Sequence, residues 1–305
     1  MPAPDGRLAG NLAAMAGSVL FGGAVVATRS AGEDVSPLVL AVLRFGQGGL
    51  ILFGVLALRD VARLRLDRRD LPLIAVLAGI LFAVFPLLFN GALRLTTASR
   101  GAVMLATMLL WSVVFARLLG REALTRRQTL GVLLSLFGVA VVFLRGGGGS
   151  WSAIGGNALM LLAAAAGALY AVLAKPLLGR YSAALLTAYT MTLGAAMLLP
   201  FALAAGLVGD IGDLAGRTLL LVLYLGVLAG AGAYFLISYG LARLSPTEST
   251  VYINLNPLVA ALLGATLLDE SLSLSFALGF AIVVAGVVLT NWPRSSASSP
   301  RRSAP

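Results

Sequence analysis

The sequence predicts an all-α integral membrane protein with ten transmembrane helices, arranged as two inverted five-helix repeats. Three observations lead to this prediction: an apolar composition, a series of apolar runs long enough to span a bilayer, and an internal repeat at a constant spacing. Apolar residues make up 59% of the 305 positions and charged residues 11%, less than half of the roughly 25% found in soluble domains. Mean hydropathy is +0.98, so there are too few charges to cover a soluble fold of this size.

The apolar runs define the helices. Several exceed the roughly 18 residues that mark a spanning helix, and Ser-Pro steps or a capping box mark some of their first turns. These signals place helices 1 to 10 at residues 8–29, 37–58, 71–93, 98–120, 128–145, 153–174, 182–205, 217–241, 246–268 and 275–292. The connections are short, which predicts one compact bundle without a soluble domain.

Charge and residue types exclude several classes of function. The net charge of +10 comes from 21 Arg and one Lys, which cluster at helix ends and so indicate membrane topology, not nucleic-acid binding. The chain has no cysteine and no histidine, which excludes disulfides and metal sites built from these residues. It has no Gly-x4-Gly-Lys-Ser/Thr motif for ATP. We expect no cofactor, no metal ion and no nucleic-acid partner; the expected partners are the lipid bilayer and a small-molecule substrate.

The basic residues also predict the orientation. With the N-terminus in the cytoplasm, 16 basic residues fall on the inner side and 5 on the outer side, as the positive-inside rule requires. Both termini are therefore expected in the cytoplasm. A cleaved signal peptide is an alternative interpretation of the first apolar stretch, since Arg7 precedes it. The length of this stretch and its place in the repeat favour a retained helix.

An internal repeat relates the two halves of the chain at a constant offset of 148 residues. A glutamate and two glycines match between residues 121–144 and 269–292: Glu122 with Glu270, Gly131 with Gly279 and Gly138 with Gly286. Each unit holds five helices, an odd number, so the second unit enters the membrane in the opposite sense. The predicted repeats are 1–145 and 153–292, with a Gly-rich linker at 146–152 and a disordered cytoplasmic tail at 293–305. The GGGGS at 146–150 suits either a natural inter-repeat loop or an engineered linker.

The duplicated segment resembles a known family. A helix ending in Gly/Leu-x-Glu-x-Leu-Ser/Thr, followed by a Gly-x6-Gly-Val helix, occurs twice and is similar to EamA-type permeases of the drug/metabolite transporter superfamily. The resemblance covers nearly the whole chain. It implies ten helices, a central cavity, and export of amino acids or related metabolites from a bacterial inner membrane, with amino-acid exporters, including aromatic ones, as the most similar branch. The two copies differ at 94–99 and 242–247, where Pro246 has no counterpart.

Candidate substrate-binding residues lie on predicted helices 3, 4, 8 and 9. Most recur at three- or four-residue steps, so each set projects in one direction. They are Phe82, Pro86, Asn90, Met104, Met108, Trp111, Tyr234, Ser238, Tyr252 and Asn256. Each residue alone suits helix packing, whereas amide, phenol, indole and proline groups at similar depth favour a central cavity. Asn256 is the best polar contact, because the adjacent proline frees a backbone carbonyl, and Trp111 and Tyr252 would stack on an apolar substrate side chain.

Five further residues are assigned structural or gating roles: Arg44, Glu122, Glu248, Pro257 and Glu270. Arg44 lies seven residues into helix 2, about 10 Å below the outer boundary. A charge at this depth is a functional candidate, but we favour a structural contact with Glu33 or Asp34. Glu122 and Glu270 are expected to hold the N-termini of the helices that follow them.

The predicted function is a secondary transporter that exports amino acids or related small metabolites by alternating access. All 12 acidic residues fall in loops, tails or terminal turns, with Glu248 in the first turn of helix 9. A proton relay at membrane depth would lack a titratable group, so we expect facilitated export without obligatory proton coupling. The alternatives are a multidrug or other metabolite exporter of the same fold, a channel, and an intramembrane lipid-modifying enzyme. Such an enzyme would usually need an Asp cluster, His or Cys within the apolar spans.

Overall fold

The structure is a computed structural model that describes residues 4–59, 64–119, 126–145, 151–212, 214, 216–241, 255–270 and 272–291. In these residues every regular element is helical. Seven of the described helices are long and apolar enough to cross a membrane, and three apolar helices are shorter. The predicted all-α membrane class is confirmed, while the count of ten crossings stays a prediction.

Ten described helices correspond in order to the predicted ones. We number them α1 (Pro4–Ala31), α2 (Pro37–Arg59), α3 (71–95), α4 (Ala98–Leu118), α5 (Arg126–Arg145), α6 (Trp151–Leu178), α7 (Ala183–Ala204), α8 (216–241), α9 (Leu255–Leu267) and α10 (Leu274–Asn291). An additional short helix, Leu207–Gly212, lies where the sequence predicts a loop. The predicted first turns of helix 9 at 246–254, the segment 146–150 and the tail from 292 lie outside the described residues.

Two helices contain a π-helical segment. In α3 the segment is Gly79–Val84, and the N–H of Phe85 donates to the carbonyl of Ile80, five residues earlier. In α8 the segment is Tyr224–Gly232. Residues 79–84 fall on 227–232 at the offset of 148, so the segments occupy equivalent places in the two halves. The α3 segment packs against α7 and the α8 segment against α2. Because π turns inside helices occur frequently at functional sites, this pair marks a region of interest.

α4 is interrupted at Thr107, between the segments Ala98–Ala106 and Met108–Leu118. The Thr107 hydroxyl donates to the carbonyl of Met104 at 2.6 Å, a side-chain-to-backbone bond of the kind that bends helices. The predictions for helices 3 and 4 assumed regular α-helical spacing. With π and Thr107 interruptions, the candidate residues of these helices do not lie on uninterrupted α-helical faces.

Corresponding helices of the two halves run in opposite directions. We call the side where α1, α3 and α9 end the distal face, and the side where α2 and α6 end the proximal face. α4 begins at the distal face and α9 ends there, since Glu270 contacts the first turn of α4. α1 ends and α6 begins there, since Arg29 and Asn157 both bind Thr96 just before α4. An inverted repeat predicts this arrangement. Glu122, predicted to lie opposite Glu270, is outside the described residues.

The helices pack in pairs that join one half to the other: α2 with α7, α3 with α6, α8 with α1, α4 with α9, and α5 with α10. If each helix is replaced by its counterpart in the other half (α1 by α6, α2 by α7 and so on), the same five pairs result. α5 and α10 contact each other far more than any other helix. A Cβ at Gly138 would lie 2.7 Å from the backbone nitrogen of Val283, so the close approach of these helices requires glycine there.

Candidate functional site

An aromatic cluster lies where α1, α2, α3, α6 and α8 meet. The ring of Phe82, which is fully buried, has its centroid 5.1 Å from that of Phe45, 6.1 Å from Tyr234 and 6.3 Å from Tyr170. Phe21 packs edge-on against Tyr234 at 5.0 Å. Most of these contacts have the edge-to-face geometry that aromatic pairs prefer. Phe82 belongs to the π segment of α3 and Tyr234 follows that of α8, so the two π segments flank this aromatic cluster.

Arg44 of α2 lies beside the aromatic cluster, and only 7% of its surface is exposed. Its Nη1 is 3.4 Å from the hydroxyl of Thr28, and its guanidinium carbon lies 5.0 Å from the ring centroid of Phe45. Its Nε is buried and has no hydrogen-bond partner. The site thus contains a buried cation with an unused donor.

The expected contact of Arg44 with Glu33 or Asp34 is wrong. Asp34 accepts a hydrogen bond from the hydroxyl of Thr218, at the start of α8, and Glu33 is exposed. Within the described part of the chain, no ion pair joins Arg44 to an acidic side chain. The reason is depth: Asp34 lies in the turn between α1 and α2 and is held there by α8.

Two asparagines of the predicted site also carry buried atoms without partners. Asn90 of α3 is 3% exposed, and its Nδ2 donates to the carbonyl of Pro37 at 2.9 Å, while its Oδ1 accepts no hydrogen bond. The Oδ1 of Asn256 in α9 is likewise buried and unpaired, as is the hydroxyl of Ser18 in α1. An unpaired buried polar group costs about 1–3 kcal/mol, so these atoms suit contacts with a ligand or water.

The candidate residues of α4 lie in packing contacts away from the aromatic cluster. Met104 is fully buried in a separate apolar cluster with residues of α3, α6, α9 and α10. A Cβ at Gly167 of α6 would lie 2.8 Å from the sulfur of Met108. Trp111 is half-buried and stacks on Phe115 at 6.1 Å. The structure therefore brings Phe82 and Tyr234 together but does not place the α4 side chains with them.

The remaining predicted residues are described in part or not at all. Pro86 is buried one turn after Phe82. For Ser238 and Pro257 only the helical backbone is described, and three predicted residues lie outside the described ranges: Glu122, Glu248 and Tyr252.

Glu270 joins three helices at the distal face. Its carboxylate accepts hydrogen bonds from the N–H groups of Ala98 (2.6 Å) and Ser99 (3.0 Å) and from the Ser99 hydroxyl (2.7 Å), and lies 3.3 Å from Nε of Arg29. It therefore caps the N-terminus of α4, and the prediction that it caps the following helix, α10, is wrong. Asp269, between the end of α9 and Glu270, has a φ of 50°. This backbone conformation comes just before Glu270, whose carboxylate contacts α4.

Further bonds extend this contact into a distal network, which we define as Arg29, Thr96, Asn157 and Glu270. The Nη1 of Arg29 donates to the carbonyls of Leu93 (2.9 Å) and Thr96. The Thr96 hydroxyl donates to Oδ1 of Asn157 in α6 at 2.6 Å. The distal network thus ties α1, α4, α6 and α9 together. Sequence reasoning missed it because its partners are distant in the chain, as Arg29 and Glu270 are.

At the proximal face Asp70 joins the start of α3 to the turn between α6 and α7. Its carboxylate binds Nη2 of Arg180 and the hydroxyl of Tyr181, each at 2.6 Å. The hydroxyl of Tyr181 in turn accepts from the N–H of Asp67 at 3.0 Å. The hydrogen bond to the Asp70 carboxylate raises the pKa of Tyr181, because ionising the phenol would remove that donor. These contacts join α3 to the turn after α6 at the proximal face.

A cavity of about 320 Å³ lies between α1, α8 and α9 near the distal face. Its walls are largely apolar, with Gly23, Leu221 and Leu263 among them, and Tyr224 and Arg217 supply polar groups. The hydroxyl of Tyr224 donates to the carbonyl of Leu20 in α1 at 2.8 Å. The predicted central cavity lined by helices 3, 4, 8 and 9 stays a prediction.

Comparisons with known proteins agree on one family. The EamA-like transporter family model matches residues 8–144 and again 154–292. A probable terminal-alkyne amino-acid exporter of Streptantibioticus cattleyicolor is 30% identical over 239 residues, 77% of this chain and 79% of its own. An uncharacterized transporter of Archaeoglobus fulgidus is 34% identical over 203 residues (65% and 68%), and one of Bacillus subtilis 27% over 274 (89% and 87%). A crystal structure 21% identical, covering 92% of this chain and 95% of its own, has a TM-score of 0.66, a likeness of fold alone.

Proposed function

Because this chain belongs to the EamA-like transporter family, which matches both of its halves, we propose that it exports amino acids or related small metabolites. It is a multi-pass membrane transporter and not an enzyme. The observation that carries the substrate class is the group of buried, unpaired polar atoms near an aromatic cluster. The relative from Streptantibioticus cattleyicolor, named as a probable amino-acid exporter, supports the same class.

The chemistry of an amino acid suits this region. Its ammonium group needs hydrogen-bond acceptors, and the Oδ1 atoms of Asn90 and Asn256 are buried acceptors without partners. Its side chain needs an apolar surface, which the rings of Phe82 and Tyr234 provide. In a bundle surrounded by lipid, polar atoms are kept where they line a route for a polar ligand. Asn256 and Trp111 stay our candidates for contacts along that route.

The proposed alternating access uses two repeats, residues 1–145 and 153–292. The linker at 146–152 joins the repeats, and the tail at 293–305 comes after the second. Four observations support this division: the two family matches, the opposite helix directions, the exchange-symmetric helix pairs, and the π segments at equivalent places. The distal network and the Asp70 contacts close opposite sides. In the proposed cycle one set opens while the other holds.

The proposed location is the inner membrane of a bacterium, with the proximal face and both termini in the cytoplasm. The distribution of 16 basic residues against 5 supports this orientation. Export then runs from the proximal to the distal face.

Export is proposed to run down the substrate gradient without obligatory proton exchange. The acidic residues with described contacts, such as Asp34, Asp70 and Glu270, lie at helix ends and not at membrane depth. The test is efflux from proteoliposomes with and without an imposed pH gradient at zero membrane potential. Uphill accumulation driven by the pH gradient, and abolished by Glu248→Gln, would make Glu248 the coupling residue and overturn this proposal.

The substrate class is tested with purified protein in proteoliposomes preloaded with unlabelled substrate. Labelled L-phenylalanine, L-tryptophan, L-leucine and L-threonine are supplied outside, and counterflow is measured. We expect saturable counterflow of at least one of them, with empty liposomes as the control. Saturation and counterflow distinguish a carrier from a channel, and no counterflow of any of the four would contradict the proposed substrate class.

A further inference from the structure

Arg44 is the polar group of the site whose chemistry points to a specific part of a ligand. It lies within α2, seven residues after Pro37, and 7% of its surface is exposed. Its Nε is buried without a hydrogen-bond partner, and among the described residues its Nη1 has the hydroxyl of Thr28 at 3.4 Å, longer than a normal hydrogen bond. Burial and missing partners together distinguish it from the basic residues at the helix ends.

A buried guanidinium needs a negative counterpart. Within membranes such charges pair with acids or backbone carbonyls, or mark a ligand pathway, because an uncompensated buried charge is costly. In the described residues no acid pairs with Arg44, and the nearby acid Asp34 is engaged by Thr218. The face of the Phe45 ring, 5.0 Å away, offers partial negative charge but no anion. The missing counterpart is therefore external to these residues.

The surroundings of Arg44 also fit a ligand site. α8 crosses α2 here through its π segment, and a Cβ at Gly230 would lie 3.7 Å from the carbonyl oxygen of Arg44. Nearby, a Cβ at Gly226 would lie 2.8 Å from Oε1 of Gln47, so the glycines of α8 leave room for α2 to approach closely. The guanidinium contacts Thr28 of α1 and belongs to α2, a helix that packs against α8 of the other half, and an inverted-repeat transporter binds its substrate where the halves meet.

From these observations we infer that Arg44 is the anchor for the carboxylate of the substrate, so that an amino acid binds more tightly than the amine that lacks this group. The inference rests on the proposed function and adds the group that is recognised. A carboxylate would accept hydrogen bonds from the unused Nε and the adjacent guanidinium nitrogen, the bidentate geometry that arginine provides. The substrate side chain would then lie toward Phe82 and Tyr234.

A structural role is the rival explanation, in which Arg44 only packs on Phe45 and joins α1 to α2. The two explanations differ in ligand selectivity. A structural arginine affects all ligands alike, whereas a carboxylate anchor affects only ligands that carry the carboxylate.

The experiment compares each transported amino acid of the four-member panel with its decarboxylated amine, for wild type and Arg44→Gln, in the same proteoliposomes. We expect the half-saturation concentration for the amino acid to rise by roughly 30-fold or more in Arg44→Gln, as for loss of one partner of a buried charge pair. The value for the amine should change by less than about twofold, since uniform binding is otherwise intact. Arg59→Gln is the matched control, an exposed arginine on the same helix, and should behave as wild type.

Ligand-induced thermal stabilisation in detergent provides a second measurement, independent of transport. Arg44→Lys keeps the charge but not the planar guanidinium, so the amino acid should stabilise it less than wild type and more than Arg44→Gln. If Arg44→Gln does not insert into the membrane, Arg44→Lys replaces it in the test. Equal loss for amino acid and amine in the variants would overturn the inference and assign a structural role. The inference is also overturned if the wild type transports an amino acid and Arg44→Gln binds that amino acid with unchanged affinity. A wild type that carries none of the four would instead refute the proposed function on which it rests.

Discussion

Glu270→Gln should open the distal face of the transporter. The carboxylate of Glu270 accepts three hydrogen bonds from the first residues of α4 and pairs with Arg29, and its side chain is 5% exposed. Glutamine has nearly the same shape but no charge, and its nitrogen cannot accept. The variant therefore weakens the cap of α4 and the tie to α1 without creating a cavity.

The magnitude follows from the bonds lost. Hydrogen bonds to charged groups contribute about 1.5–3 kcal/mol each, and the amide keeps one acceptor of the original two. A net loss of about 2–3 kcal/mol in the stability of the closed distal face corresponds to a shift of roughly 30- to 150-fold toward the distal-open state.

Cysteine labelling measures this shift, because the chain has no cysteine of its own. Thr28→Cys places one thiol beside Arg44, next to Arg29 and 1% exposed in the closed structure. A membrane-impermeant maleimide applied from the distal side should label it at least tenfold faster when Glu270→Gln is added. Asp269→Asn is the control, since it removes the adjacent exposed charge and asparagine tolerates the positive φ. Equal labelling rates with and without Glu270→Gln would refute the role of this carboxylate in distal closure.

Three further predictions address the route, the scaffold and the proximal face. Trp111→Ala and Asn256→Ala should each reduce transport while membrane insertion stays normal, measured by counterflow against membrane yield; normal transport in both would misplace the proposed route. Gly138→Val should lower the thermal transition by several degrees, because overpacking costs about 1–3 kcal/mol and a Cβ there meets backbone at 2.7 Å; Gly155→Val, with open space around it, should not. Tyr181→Phe should lower thermal stability at pH 8. Because the pKa of Tyr181 is raised in the folded protein, the stability that its hydroxyl contributes is complete below the pKa of the unfolded chain, near 10. That contribution is lost as the pH rises through the folded pKa. A difference that persists unchanged to pH 11.5 would contradict this.

Much of the fold could be predicted because its signals are local and strong. Apolar length alone marks a helix in lipid, and most predicted ends agree with the structure to within a few residues, as for α2 and α7. The repeat could be predicted because one Glu and two Gly residues match at a single offset. Leucines match by chance in apolar helices, whereas matches of these residues rarely do.

The departures within helices depend on forces that sequence patterns do not display. A π segment such as Gly79–Val84 adds one residue to a turn, and neither hydropathy nor propensity distinguishes it from an α turn. Thr107 breaks α4 through one hydroxyl bond, although threonine within a membrane helix usually needs no break. The recurrence of glycine in both π segments was the available signal.

The candidate site could be predicted only where depth and residue type were enough. Phe82, Asn90 and Tyr234 were found by their position on helices 3 and 8, and the structure places Phe82 beside Tyr234. Glu270 was assigned the right interaction, a helix N-terminus, but the wrong helix, because its partner α4 is distant in the chain. Arg44 was assigned acidic partners by sequence proximity, whereas its depth leaves it among aromatic rings.

The paired π segments have a geometric consequence for motion. Each holds an extra residue within its turns, and one residue corresponds to a rotation of about 100° around an α-helix axis. If the segment in α8 reverted to α geometry, every side chain beyond it, Ala233 and Tyr234 first, would turn by that angle about the axis while the residues before it stayed in place. The same holds for α3 beyond Val84. The two helices that flank the aromatic cluster therefore contain a means of turning one end relative to the rest.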